Sequence, residues 1–196
     1  MTAPFAAMAL GWLTIRSPWI ATGLFHGSMA AALWTHRKEW HPSQLRRGFR
    51  WIWLLAAVLL TALFGWCLSL RGNHIRPGLL DHGPDFGLAQ PGLMPLVIYF
   101  CLLNPLLEEA FWRGLFSSNR LHPDLPDLAY GGFHFLIFLP FVPSFEALVA
   151  ALSLALVGYG WRLTANRLGG LAIPILWHAL GDIVLIFVLF RVAYGR

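Results

Sequence analysis

Apolar residues in this chain run in long blocks rather than alternating with polar ones. Crossing the apolar core of a bilayer, about 30 Å thick, takes roughly 20 helical residues. Blocks of about that length occupy residues 17–34, 50–70, 93–113, 145–162 and 171–190. A sixth block at 128–142 is shorter and is bounded by Pro126, Pro140 and Pro143. The pattern predicts an all-α protein, a polytopic transmembrane helical bundle with six spans.

The first apolar stretch, residues 3–15, is too short to cross a bilayer as a straight helix. It can instead form half of a helical hairpin with residues 17–34, turning at Arg16-Ser17-Pro18, and would then count as a seventh span. Because Arg16 is the first basic residue, the N-terminus lacks the positive region of a signal peptide. We expect this segment to be retained.

Composition agrees with a membrane protein. Of the 196 residues, 58% are hydrophobic and 12% are charged, whereas a soluble domain carries about 25% charged residues. The net charge of +5 would favour nucleic acid as a partner in a soluble protein. Here the basic residues concentrate in the loop 36–50 beside apolar blocks, which places that loop in the cytoplasm. We therefore expect contact with the lipid bilayer and no nucleic acid partner.

The chain is expected to form one integrated membrane domain with two parts. Residues 1–92 supply N-terminal transmembrane helices and an extracytoplasmic loop, predicted to be irregular over 71–92, and residues 93–196 supply the helical core that carries the chemistry. Lys38 is the only lysine among 14 Lys and Arg residues, a bias typical of GC-rich genomes. This bias favours the inner membrane of a bacterium as the location.

Several other residues have purely structural interpretations. Cys67 and Cys101 lie in apolar blocks and are interpreted as small buried hydrophobic residues rather than as a disulfide or a metal site. Ser144 is predicted to cap the helix that follows it, with Glu146 in the first turn. The small residues at spacing four, which allow close helix packing, are Ala147, Ala151 and Ala155.

Ionisable residues inside the predicted spans carry most of the functional information. A charge at the bilayer centre costs about 2.5–3.5 kcal/mol even on insertion scales. The residues concerned are Glu108, Glu109 and Arg113 on one span, His134 on the next, His178 and Asp182 on the last, and His26 on the first. His26 has no partner that the sequence identifies.

Helical spacing arranges these side chains. Glu109 and Arg113 are four residues apart and share a face, as do His178 and Asp182. Glu108 lies about 100° around its helix, so Arg113 is placed to neutralise Glu109 and leaves Glu108 as the freer base. Counted at about 1.5 Å per residue, Glu108, His134 and His178 lie in one layer roughly 7–12 Å below the predicted cytoplasmic boundary, and Asp182 lies one turn deeper.

Structural alternatives exist for each of these residues. Glu109 and Arg113 can form an ion pair at a helix end, a single histidine such as His134 can bridge helices, and Asp182 can simply hold the His178 imidazole in one tautomer.

The sequence resembles the CPBP family of intramembrane glutamic proteases, which includes the eukaryotic type II CAAX prenyl endopeptidase and many bacterial relatives. Three motifs carry the resemblance, in this order on three spans: EE-x3-R in EEAFWR, aromatic-x3-His in YGGFH, and His-x3-Asn/Asp in HALGD. The resemblance covers about residues 93–190. Each motif is weak alone, and the ordered set is specific.

The resemblance implies catalytic roles for residues of all three motifs. Glu108 and His134 would activate a water, His178 and Asp182 would stabilise the oxyanion, and Glu109 and Arg113 would support the site. Two positions depart from the usual pattern, because Tyr130 stands where the family usually has Phe and Asp182 where the prenyl endopeptidases have Asn. An ionised Asp182 cannot donate to an oxyanion, so either it is protonated or it orients His178.

The same residues permit other functions. Two histidines and a glutamate can bind zinc, although no HExxH motif is present. Relatives of the family are described as bacteriocin immunity or abortive-infection proteins, some of which act without catalysis. A buried proton relay in a transporter is a third possibility, which no internal repeat supports.

For a protease, the predicted partner is a membrane-associated protein or peptide, cleaved at a C-terminal tail, a leader or a CAAX-like end, with no cofactor. The sequence leaves the substrate and the oligomeric state open.

Overall fold

A computed structural model describes residues 2–70 and 93–194, and all regular structure in these ranges is helical. The α-helices are α1 (Thr2–Met8), α2 (Pro18–Thr35), α3 (Trp51–Leu70), α4 (Leu93–Glu109), α5 (Leu125–Phe138), α6 (Ser144–Leu168) and α7 (Ala172–Tyr194). π-helical turns at Ala9–Thr14 and Ala110–Leu115 extend α1 and α4, and a short 3-10 helix spans Pro42–Arg46. The all-α prediction is confirmed. The loop predicted at 71–92 lies outside the described residues.

Two of the described helices are long and apolar enough to cross a membrane by length and composition, α3 with 20 residues and α6 with 25. In α7 the apolar stretch Ala172–Val188 is shorter. The structure therefore gives a helical bundle with candidate spans, and the count of six spans stays a prediction.

The N-terminal hairpin forms as predicted. The chain is helical from Thr2 to Thr14 and turns through Arg16, whose φ of 57° places it in the left-handed region. Ser17 then caps α2 by accepting a hydrogen bond from the Ile20 amide at 3.4 Å, and Pro18 occupies the first helical turn. Gly11 allows the two arms to touch, because a Cβ there would lie 2.4 Å from the Ala21 Cα.

An aromatic core joins this hairpin to α4 and α5. It is built from buried side chains, including Trp12, Phe25, Phe111, Trp112 and Phe133. The rings of Trp112 and Phe133 stack with centroids 6.0 Å apart, and Phe25 packs on Phe133 at 4.8 Å. The core holds the second halves of α4 and α5, which carry the motif residues, at a fixed separation.

The predicted row of small residues lies at the contact between α5 and α6. Ala147, Ala151 and Ala155 are all buried. Facing them is Gly131, where a Cβ would lie 2.2 Å from the Ala151 carbonyl oxygen and 2.8 Å from the Ala155 Cβ. The two backbones approach closely because neither side carries a bulky side chain.

Gly131→Ala is expected to destabilise the protein by about 1–3 kcal/mol, since the methyl group meets backbone that cannot move alone. The neighbouring Gly132 provides a matched control, because a Cβ there meets only the Phe5 ring at 3.4 Å. Both changes gain the same helix propensity. Thermal unfolding in detergent should show a lower midpoint for Gly131→Ala alone, and equal midpoints would contradict this packing.

Two structural predictions were wrong. Cys67 is exposed on α3 rather than buried, because that helix buries only one narrow face, at Ala57, Thr61 and Gly65, and turns the rest outward. Cys101 is half-buried. Ser144 is the first residue of α6 rather than its cap, and Pro143 takes the cap position without a side-chain hydrogen bond. Glu146 lies in the first turn as predicted.

A buried ion cluster that the sequence did not reveal fixes the loop between α4 and α5. Arg162 on α6 is completely buried and donates to both carboxylate oxygens of Asp127, with the shortest N···O distance at 2.7 Å. It also donates to the carbonyl oxygens of Ser118, Arg120 and His122. One guanidinium thus holds the whole loop against α6, and the start of α5 is set relative to the end of α4.

Candidate active site

The two glutamates stand at the point where α4 changes its winding. Glu109 is the last residue of α4, and the π-helical turn Ala110–Leu115 carries Arg113. Such wide turns occur often at functional sites. Glu108, Glu109 and Arg113 are almost fully buried, with exposed fractions of 1%, 0% and 3%.

Glu109 is the hub of the site. Its Oε1 accepts a hydrogen bond from Arg113 Nη1 at 3.0 Å, which confirms the pairing predicted from their spacing. The same oxygen lies 2.9 Å from Nδ1 of His178 on α7, so this ring nitrogen donates to it. A single carboxylate therefore ties the first motif to the third across two helices.

Aromatic rings and a glycine enclose Arg113. Its guanidinium carbon lies 4.0 Å from the Tyr130 ring centroid and 5.3 Å from that of Trp161, distances at which a cation is attracted by the ring face. A Cβ at Gly158 would come within 2.4 Å of Arg113 Nη2, so the absence of a side chain there makes room for the guanidinium. The ring at position 130 thus packs against a charge as well as against the core.

His178 is held on both edges and on one face. Its Nε2 lies 3.6 Å from Asp182 Oδ1, and the ring stacks on Trp161 with centroids 4.7 Å apart. Both ring nitrogens therefore face carboxylate oxygens. A doubly protonated imidazole would fit this environment and would donate on each side.

His134 lies among aromatic rings on α5. Its Nδ1 donates to the Tyr130 carbonyl oxygen at 2.8 Å, and its ring packs on Phe133 at 4.1 Å and Tyr130 at 4.8 Å. In the neutral ring this bond leaves Nε2 as an acceptor. No hydrogen bond joins His134 to Glu108 within the described residues. Tyr130 connects the two parts, since it also contacts Arg113 and His178.

Glu108 differs from its neighbour in accepting no hydrogen bond from any described residue. Its Oε2 is enclosed and makes no hydrogen bond. The charged groups that act on it electrostatically include His178, Asp182 and Arg113. Other enclosed atoms without partners belong to Arg113 and to two residues that contact it, namely Arg113 Nη2, Glu109 Oε2 and the Trp161 indole nitrogen. Buried polar atoms of this kind usually bind water or a ligand.

A comparison with protein-family models agrees with this arrangement. Residues 90–184 match the model of the type II CAAX prenyl endopeptidase Rce1-like family. Over these residues the chain is similar to the Rce1-like family. The match covers just under half of the 196 residues and includes all six motif residues. No curated protein and no solved structure gave a significant match.

The Rce1-like family, to which this segment is similar, is a group of membrane-embedded proteases. The resemblance predicted over about residues 93–190 is therefore confirmed over residues 93–184. The likeness concerns the family alone and leaves the substrate of this chain open.

Among the described residues of this Rce1-like chain, no group of three His, Cys, Asp or Glu side chains converges as metal ligands would. Glu109 instead binds Arg113 and His178.

Sequence reasoning missed the partners of His26 and of Asp182. His26 on α2 lies 2.9 Å from the Tyr99 hydroxyl and 2.8 Å from Asn104 Oδ1. Asn104 Nδ2 in turn donates to Asp182 Oδ2 at 3.1 Å. Spacing offered one signal, because Asn104 lies four residues before Glu108 and so shares its face of α4. The hydrogen bond to α2, which lies outside the Rce1-like segment, had no signal in the sequence.

Proposed function

We propose that this protein is an intramembrane glutamic endopeptidase that hydrolyses a peptide bond near the membrane surface in a membrane-associated protein or peptide. One observation carries the proposal. Of two adjacent buried glutamates, Glu109 accepts hydrogen bonds from both Arg113 and His178, whereas Glu108 accepts none from the described residues and keeps an enclosed oxygen without a partner. An unengaged carboxylate in a buried site is suited to take a proton from water.

In the proposed reaction, Glu108 removes a proton from a water molecule while the oxygen of that water attacks the carbonyl carbon of the scissile bond. His134 Nε2 accepts the second O–H of that water and orients it. The tetrahedral intermediate then expels the amine as the C–N bond breaks, and the proton held by Glu108 passes to the amine nitrogen. All atoms of water end in the two products.

The negative oxygen of the intermediate would be stabilised by His178. Its Nδ1 is engaged by Glu109, so the donor available to the substrate is Nε2, which lies at a loose 3.6 Å from Asp182. Asp182 Oδ2 accepts from the Asn104 amide, as expected of a carboxylate. We therefore assign Asp182 to holding the imidazole and His178 to the donation itself.

The proposed topology has six spans, α2 to α7, in one membrane domain, with α1 and its π-helical turn as a re-entrant arm packed on α2. The loop 36–50 faces the cytoplasm and the site opens on that side. Reporter fusions after residues 48 and 121 should both report a cytoplasmic location, and opposite locations would contradict the depth argument.

Metal removal should leave the activity intact, since the proposed chemistry uses carboxylate and imidazole alone. Purified protein dialysed against a strong chelator is expected to cleave its substrate at the untreated rate. A loss that zinc restores would overturn the glutamic mechanism in favour of a metalloprotease.

Comparison of membrane-proteome termini tests the function and identifies the substrate. Cells lacking the protein would be complemented with wild type or with Glu108→Gln, with both forms quantified in the membrane. We expect a cleaved terminus that appears with wild type and is missing with the variant. If both complemented strains share every terminus and both rescue the deletion phenotype, the protein acts by binding, as an immunity or abortive-infection protein would.

A further inference from the structure

A hydrogen-bonded relay of polar side chains runs from α2 to the far side of the site. It links Tyr99, His26, Asn104 and Asp182 through contacts of 2.9, 2.8 and 3.1 Å. His26, Asn104 and Asp182 are all buried, with exposed fractions of 3%, 1% and 8%. Three helices contribute to it, and one of them, α2, lies outside the segment that matches the family.

Each hydrogen bond in this relay is donated in the direction of Asp182. Asn104 gives its amide N–H to Asp182 Oδ2, so its carbonyl oxygen is the atom that faces His26. His26 must therefore carry its proton on Nε2 and donate to that oxygen. Its Nδ1 is then an acceptor for the Tyr99 hydroxyl. The relay ends by presenting an N–H to the carboxylate.

This arrangement fixes one Asp182 oxygen and leaves the other for His178. With Oδ2 bound to Asn104, Oδ1 is directed to His178 Nε2 at 3.6 Å. A buried side chain with fewer partners would sample other rotamers, and a small displacement of a reacting group lowers the rate steeply. The His26 ring is itself immobilised against Phe25 and Tyr99, with both centroid distances at 5.4 Å.

We propose that His26 and Asn104 are positioning residues of the protease site, which fix Asp182 and through it the imidazole of His178. The inference rests on the proposed function. It makes α2, the second arm of the N-terminal hairpin, part of the active site. It also gives the buried histidine and asparagine a functional role, although burying such polar groups costs free energy.

Exchange of the amide and the carboxylate tests the proposal. Asn104→Asp alone sets two carboxylates face to face and should lower kcat roughly 10- to 100-fold with little change in KM. Combined with Asp182→Asn, it rebuilds the pair with the polarity reversed, because the carboxylate now on α4 accepts both from His26 and from the amide now on α7. The double variant should recover most of the lost kcat.

Changes at His26 give an independent measurement. His26→Phe keeps the ring and loses the donor, so it should reduce kcat about 10-fold, whereas His26→Gln retains an N–H and should restore much of it. Ser28→Ala, on the same helix and outside the relay, is the matched control. All rates would be expressed per folded protein, determined by thermal unfolding of each sample.

The outcomes separate the two proposals. If wild type cleaves and both Asn104→Asp and His26→Phe cleave at its rate, the positioning role is wrong and the protease stands. If activity falls only in proportion to folded protein, or if neither the exchange nor His26→Gln restores kcat, the relay is structural and the proposal is overturned. If wild type itself cleaves nothing, it is the proposed function that fails.

Discussion

Glu108→Gln is expected to abolish cleavage without weakening the fold. The carboxylate has a buried oxygen that no group satisfies, and such burial costs free energy. An amide of the same size removes the charge, so the unfolding midpoint should stay equal or rise. Loss of a general base costs roughly 10²–10⁴-fold in rate. Residues that serve activity often cost stability in this way.

Purified protein in detergent gives both quantities, the rate of substrate cleavage and the thermal midpoint. Glu146→Gln on α6 is the control, because that glutamate lies in a helix first turn away from the site. A Glu108→Gln variant that unfolds several degrees earlier than wild type would show that the carboxylate is structural, and its assignment as base would lose its support.

The neighbouring substitution, Glu109→Gln, should have the opposite effect on stability. Glu109 is the sole hydrogen-bonded counter-charge of Arg113 within the described residues and also binds His178. Neutralising it leaves a guanidinium buried without compensation, a change that typically costs about 3–5 kcal/mol. The loss should appear as a lower unfolding midpoint and a smaller yield of folded protein.

The substitutions Glu108→Gln and Glu109→Gln thus form a matched pair at adjacent positions. Equal effects of Glu108→Gln and Glu109→Gln on stability would contradict the division of labour between the acids. Arg113→Met combined with Glu109→Leu provides a further control, because removing both partners of a buried pair is often close to neutral.

Much of the fold could be predicted because the signals were long or regular. Each long apolar block became a helix, and spacing of four placed Glu109 beside Arg113 and His178 beside Asp182. Such local geometry follows from the rise and turn of a helix. The row of Ala147, Ala151 and Ala155 could be predicted for the same reason.

What could not be predicted depends on contacts between distant segments. The local sequence does not predict that Asn104 lies 2.8 Å from His26. It also does not predict that Arg162 donates hydrogen bonds to three loop carbonyl oxygens. The link between Glu109 and His178 is also a matter of packing, so the sequence grouped these residues by depth and left their hydrogen bonds open. Cys67 was misplaced because an apolar block shows which residues avoid water but not which of them face the core.

The most direct test of the central claim is the single-turnover rate of cleavage, measured for wild type and for Glu108→Gln with enzyme in excess over the substrate identified from cells. Under these conditions binding and product release do not mask the chemical step. The account predicts cleavage by wild type and a rate for the variant lower by roughly 10²–10⁴-fold, at equal occupancy of substrate. A variant that cleaves at the wild-type rate would show that Glu108 does not activate the water.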